Sequence, residues 1–128
     1  MQRVTLSGIL IYNDDAEYEL HGENQKIFNL SKFLEKIYYP PGSYYLHIRI
    51  MRRSEHLKDK RSKKRYLFSQ KGDLYLDKDE SGLYSYHIDG VSLESVLFDN
   101  THIPVDIELI FGKDVAVDDY IYEPKALQ

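Results

Sequence analysis

The chain has 128 residues, 17 Lys+Arg against 21 Asp+Glu, 42% hydrophobic and 30% charged residues, and neither Cys nor Trp. That length fits one domain, 1–128, with one core, and the composition argues against wholesale disorder. The lack of cysteine excludes a disulfide framework, a zinc–thiolate site and a thiol nucleophile, and no apolar run approaches the roughly 20 residues that span a bilayer.

Along residues 4–12, Val4, Leu6, Leu10 and Tyr12 fall on one face of a strand, while Thr5, Ser7, Ile9 and Ile11 take the other. Both faces are therefore expected to be partly covered. Asn13-Asp14-Asp15 reads as a turn, because Asx side chains bond their own backbone and tolerate the left-handed conformation. Residues 17–21 alternate polar and apolar and pair back as a hairpin. After Gly22 and a polar turn, Leu30, Phe33, Leu34, Ile37 and Tyr38 share one helical stripe. The spacing predicts a helix over 29–38, with Asn29 as N-cap and Pro40-Pro41-Gly42 as the stop. Tyr44, Leu46, Ile48 and Ile50 then alternate with Tyr45, His47, Arg49 and Met51 as an amphipathic strand.

Residues 65–69 are β-prone, and Lys71-Gly72 reads as a turn. Residues 73–77 and 83–88 flank Asp79-Glu80-Ser81-Gly82, a hairpin signal. Residues 91–98 read as a short helix capped by Ser92, with Leu93, Val96 and Leu97 on one face. Val105, Ile107, Leu109 and Phe111 mark the last strand. Beyond Gly112, the chain either adds an edge strand over 115–122 or lies loose.

The charge is split. Residues 51–65 hold eight basic residues (Arg52, Arg53, Lys58, Lys60, Arg61, Lys63, Lys64, Arg65) and two acids, a net +6. The rest of the chain has nine basic against nineteen acidic residues, a net −10. A basic run of this kind neutralises phosphates. It is equally the composition of a solvated connecting loop.

The connector, 52–65, falls between two halves, 3–51 and 66–111, that follow one plan; an acidic, Tyr-containing tail, 113–128, comes after them. Gly8-x-Leu10 matches Gly72-x-Leu74, and Leu20-His21-Gly22 matches Ile88-Asp89-Gly90. Asn29-Leu30-x-x-Phe33-Leu34 matches Ser92-Leu93-x-x-Val96-Leu97, and residues 46–50 match 105–109. The expected class is α+β: a duplicated ββαβ unit sharing one core, with two short helices and a mostly antiparallel or mixed sheet. A chance likeness of two ββαβ patterns is the alternative, because identities are few. At matched outward positions, the first half has His47 and Arg49 where the second has Asp106 and Glu108. Strands lying side by side about a pseudo-twofold axis would pair these charges, for roughly 0.2–1 kcal/mol each.

No constellation carries chemistry. The glycines are dispersed, and neither Gly-rich nucleotide motif occurs. His21, His47, His56, His87 and His102 lack metal-ligand spacing, although His21 and His87 end corresponding strands and could converge. Residues 77–82 lack the twelve-position calcium loop, and there is no G-x-S-x-G elbow. No enzyme, cofactor or metal is therefore expected.

Twelve tyrosines against five phenylalanines are more informative, since Tyr suits half-exposed sheet faces and interfaces. The expected function is a small, cytoplasmic, non-catalytic binding module. Its contacts would be a Tyr-rich surface (Tyr45, Tyr84, Tyr86) and the acidic tail with Tyr120 and Tyr122, docking on this chain or another. A protein partner or self-association is expected, and no membrane. The alternative is a nucleic-acid-binding protein using the basic residues of 52–65, with Tyr45, His47 and Tyr66 near enough to stack on bases.

Overall fold

The computed structural model describes residues 1–39, 44–53 and 66–124. It is a small mixed α+β protein. Strands β1 (Gln2–Tyr12), β2 (Tyr18–His21) and β3 (Ile27–Asn29) lead into α1 (Leu30–Tyr38) and β4 (Tyr45–Arg52). Then come β5 (Tyr66–Asp73), β6 (Tyr75–Lys78), β7 (Tyr84–Ile88), β8 (Val91–Ser92), α2 (Leu93–Asp99) and β9 (Pro104–Phe111). A 3-10 turn (Val117–Tyr120) and β10 (Ile121–Tyr122) follow. Seven strands form one sheet in the order β10-β3-β2-β1-β9-β4-β5, and β6-β7-β8 form a second. The pairs within both sheets are antiparallel. Among the described residues, no helix is long and apolar enough to cross a membrane.

Local chemistry explains the helices. Asn29 accepts a hydrogen bond from the Lys32 amide at 3.0 Å, satisfying one of the donors that a helix start leaves open. The helix stops at Tyr39, whose backbone is extended, because the residue before a proline is pushed out of the α region. Leu30, Phe33, Leu34 and Ile37 are buried, as their stripe requires. Ser92 caps α2 through the Ser95 amide, and Leu93 and Leu97 are buried. Against these helices lie Leu46, Ile48 and Ile50 of β4 and Val105, Ile107, Leu109 and Phe111 of β9, all in one core cluster. Phe33 meets Phe111 edge-on at 5.1 Å and Phe28 at 5.6 Å. Burying each such side chain contributes roughly 1.5–3 kcal/mol.

Three segments differ from the sequence expectation. Residues 27–29 form the short buried strand β3 rather than continuing the turn. Three residues are too few for periodicity to register. Lys71-Gly72 is no turn; both lie inside β5, opposite His47 and Leu46. The glycine marks a close approach instead, since a Cβ there would lie 3.2 Å from Ile88 Cγ2. The strand breaks at Leu74, which is buried and donates its amide to the Tyr44 carbonyl at 2.9 Å. The tail is neither a full strand over 115–122 nor loose. Consecutive acids Asp118 and Asp119 interrupt the two-residue period and form the 3-10 turn, leaving only Ile121 and Tyr122 to pair with Phe28 and Ile27.

Gly8 is the tightest point of the long strand. Here β1 passes from pairing with β9 (Gly8 opposite Val105) to pairing with β2 (Ile9 opposite His21). A Cβ at Gly8 would collide with the His21 carbonyl, its carbon only 2.7 Å away. Backbone cannot rotate aside as a flexible side chain can. Gly8→Ala is expected to destabilise the fold by at least 1–3 kcal/mol, the usual cost of overpacking. Urea unfolding measures this, and an unchanged midpoint would show that β2 shifts freely.

Candidate functional site

The outward face of β1-β9-β4-β5 is polar. Register places Thr5, Glu108, Arg49 and Ser69 on one cross-strand row, and Arg3, Ile110, His47 and Lys71 on the next. These side chains are half-buried or exposed. Of the opposite charges expected to pair between β4 and β9, Arg49 and Glu108 do, with Arg49 Nη1 3.2 Å from Glu108 Oε1, whereas His47 lies opposite Ile110 and Asp106 opposite Met51. This contact is an ion pair rather than a directed hydrogen bond, since that oxygen is buried without a hydrogen-bonding partner. Ser7 Oγ donates to Asp106 Oδ1 at 2.6 Å. Arg49 Nε donates to His47 Nε2 at 3.1 Å, so that nitrogen is an acceptor and the imidazole is neutral. Burial first, then the Arg49 and Lys71 charges, hold His47 below its ordinary pKa, with Glu108 opposing.

A double-mutant cycle with Arg49→Met and Glu108→Gln tests the pair. The expected coupling is about 0.2–1 kcal/mol in urea unfolding, and the swapped variant Arg49→Glu with Glu108→Arg should recover most of it. Zero coupling would remove the pair from the forces that fix the register.

The basic residues divide. Arg52 and Arg53 are exposed at the end of β4, and Arg53 pairs with Glu23 at 3.1 Å. Lys58, Lys60, Arg61, Lys63, Lys64 and Arg65 lie outside the described residues.

The five singled-out tyrosines do not share one surface. Tyr45 lies on the open sheet face beside His47. Tyr84, 66% exposed, begins β7 with Lys78 Nζ 5.6 Å from its ring centre. Tyr86 is half-buried, 5.8 Å from the Tyr38 ring; burial first, then Glu35, push its hydroxyl up to about 12. Tyr120 stands edge-on to Phe33 at 6.0 Å. Tyr122 donates its hydroxyl to the buried Glu19 carboxylate, and this bond is the largest cause of a pKa pushed up to about 12. The tail thus seats on its own sheet. His21 and His87 sit in different sheets, His21 at 3.7 Å from Glu19 and His87 stacked on Tyr75 at 5.6 Å. Among the described residues, no group of three His, Asp or Glu side chains could hold a metal ion.

One aromatic surface was not singled out by sequence. A shallow groove of about 410 Å³ beside α2 is lined by Tyr12, Tyr18, Glu94, Ser95, Phe98 and Asp99. Phe98 is 64% exposed and Tyr12 49%. The Tyr12 and Tyr18 rings lie 4.8 Å apart, and the Tyr18 hydroxyl donates to the Glu94 carbonyl at 3.2 Å. Burial first, then the Glu94 charge, push that hydroxyl up to about 12. Burial first, then Asp79, also raise the Glu94 carboxyl. One signal was available: Phe98 falls off the Leu93, Val96, Leu97 stripe, so the helix pattern itself leaves it facing outward. Tyr12 gave none, because alternation assigned it to the same face as Leu10. No family model, curated protein or solved structure matches the chain.

Proposed function

We propose that the chain is a non-catalytic protein-binding module whose contact surface is the aromatic groove beside α2. One observation carries this reading: Phe98 and Tyr12 stand exposed together over a depression floored by Tyr18. Rigid aromatics that bury a large area are the side chains on which interfaces concentrate their energy. The acidic tail serves the module indirectly. By pairing with β3 it covers a sheet edge that would otherwise recruit other strands. A cysteine-free composition suits a cytoplasmic setting.

We also infer that the fold is a duplicated ββαβ unit. Asn13 and Asp79 close equivalent turns with the same bonds: each donates its amide to the residue four on and accepts from two amides through its side chain. Asn29 and Ser92 cap equivalent helices. Each half's first strand pairs with the other half's third strand, β1 with β9 and β5 with β4. The matched residues Arg49 and Glu108 face each other, as positions on a pseudo-twofold axis must.

Selection of random peptides displayed on phage tests the binding reading. Peptides should enrich on the full chain and fail to enrich on Phe98→Ser. Because Phe98 is exposed, that variant should keep its stability within about 0.5 kcal/mol. Equal enrichment on both proteins would sink the reading.

A second reading has its own support. Arg3 and Lys71 flank His47 on the open sheet face, whose strands β4 and β5 bracket the basic connector in sequence. Nucleic-acid binding there would be measurable at about 50 mM salt, fall steeply as salt rises, and weaken in Arg3→Ser with Lys71→Ser. No binding of mixed-sequence oligonucleotides at that salt removes it.

A further inference from the structure

The groove beside α2 has a second depression, of about 210 Å³, next to it, which shares Tyr18 and Glu94 with it and is lined also by Tyr86 and Glu35. Together the two neighbouring depressions take in Phe98 and Tyr12 on one side and residues of both α1 and α2 on the other. Their charge is one-sided. Glu17, Glu35, Glu94 and Asp99 line them, and no Lys, Arg or His does among the described residues. Between the carboxylates stand the rings of Tyr12, Tyr18, Tyr86 and Phe98.

We propose that this surface binds a cationic segment of a partner protein, a Lys/Arg-rich stretch carrying an apolar side chain. The proposal rests on the binding-module reading above and names its partner's chemistry. Two properties select that chemistry. Aromatic faces attract ammonium and guanidinium groups, and more strongly as water is displaced. Carboxylates around the rings give charge-assisted hydrogen bonds to the same groups and repel phosphate or an acidic peptide. The environment of Glu94, which disfavours its charge through burial and Asp79, is one that an arriving cation relieves. The apolar residue of the partner is required by Phe98, whose exposed ring otherwise stays in water.

The test uses the full chain, isotope-labelled, titrated with a synthetic twelve-residue Lys/Arg/Leu peptide at about 50 mM salt. Amide shifts should concentrate at Tyr12, Tyr18, Glu94, Ser95 and Phe98, and affinity should fall as salt rises. Glu94→Gln with Asp99→Asn should weaken binding roughly tenfold, and Phe98→Ser should do likewise. Both sets of positions are exposed, and urea unfolding confirms that the variants fold. A Glu/Leu peptide of the same length should not bind. If it binds as well, or if phage selection yields neutral or acidic sequences that need Phe98, the cationic partner is wrong while the binding module stands. No shifts at the groove, with no Phe98-dependent selection, overturn both. A dimer in sedimentation that Glu94→Gln abolishes would make the occupant a second copy, whose own basic stretch has this composition, and would overturn a separate partner.

Discussion

Antiparallel pairing of β4 with β9 is the constraint on which the remaining structure depends. Its register sets Leu46 opposite Phe111, Ile48 opposite Leu109 and Ile50 opposite Ile107, and every one of these side chains is buried. A slip of one residue in either strand would turn that strand's three outward and carry its own charge, Arg49 or Glu108, into the core. The hydrophobic term is therefore far larger than the ion pair, which can only add to a register that burial already enforces. The two strands also hold the flanking elements in place: β1 pairs with β9 and β5 with β4. The β4–β9 pair thus sits inside the seven-stranded order, with β5 on one side of it and β1, β2, β3 and β10 on the other.

The ends of the sheet are managed differently. At β3, two residues of the tail complete the ladder, and Tyr122 delivers a hydrogen bond to Glu19, a carboxylate too buried to rely on water. At the other end, Leu74 interrupts the path from β5 to β6, and β6-β7-β8 continue as a separate sheet. Glycine permits both transitions. Gly8 lets β2 approach β1, and Gly72 lets Ile88 of β7 approach β5.

The charge split seen along the chain has a counterpart in space. Arg3, Arg49 and Lys71 lie on the open sheet face with Asp106 and Glu108 between them, whereas the surface around α2 is acidic and aromatic. The sheet face partly neutralises itself. The α2 surface, lined by Glu17, Glu35, Glu94 and Asp99 and by exposed rings, does not.

The sequence by itself determined both helices, their caps at Asn29 and Ser92, the Asx turn at Asn13, the hairpin loop at 79–82, and the inward faces of β4 and β9. Each depends on contacts within a few residues or on a sustained period, so local pattern suffices. The meeting of Arg49 with Glu108 was legible only on condition that β4 and β9 lie side by side, and the same pattern did not bring His47 to Asp106. Only the tertiary structure decided that Gly72 lies within a strand, that residues 27–29 pair with β2 and that the tail folds back on β3. It alone decided that Phe98 and Tyr12, 86 positions apart in sequence, meet over Tyr18. Those outcomes rest on which distant segment comes to lie alongside. Chain order and residue type do not encode that until the core has closed.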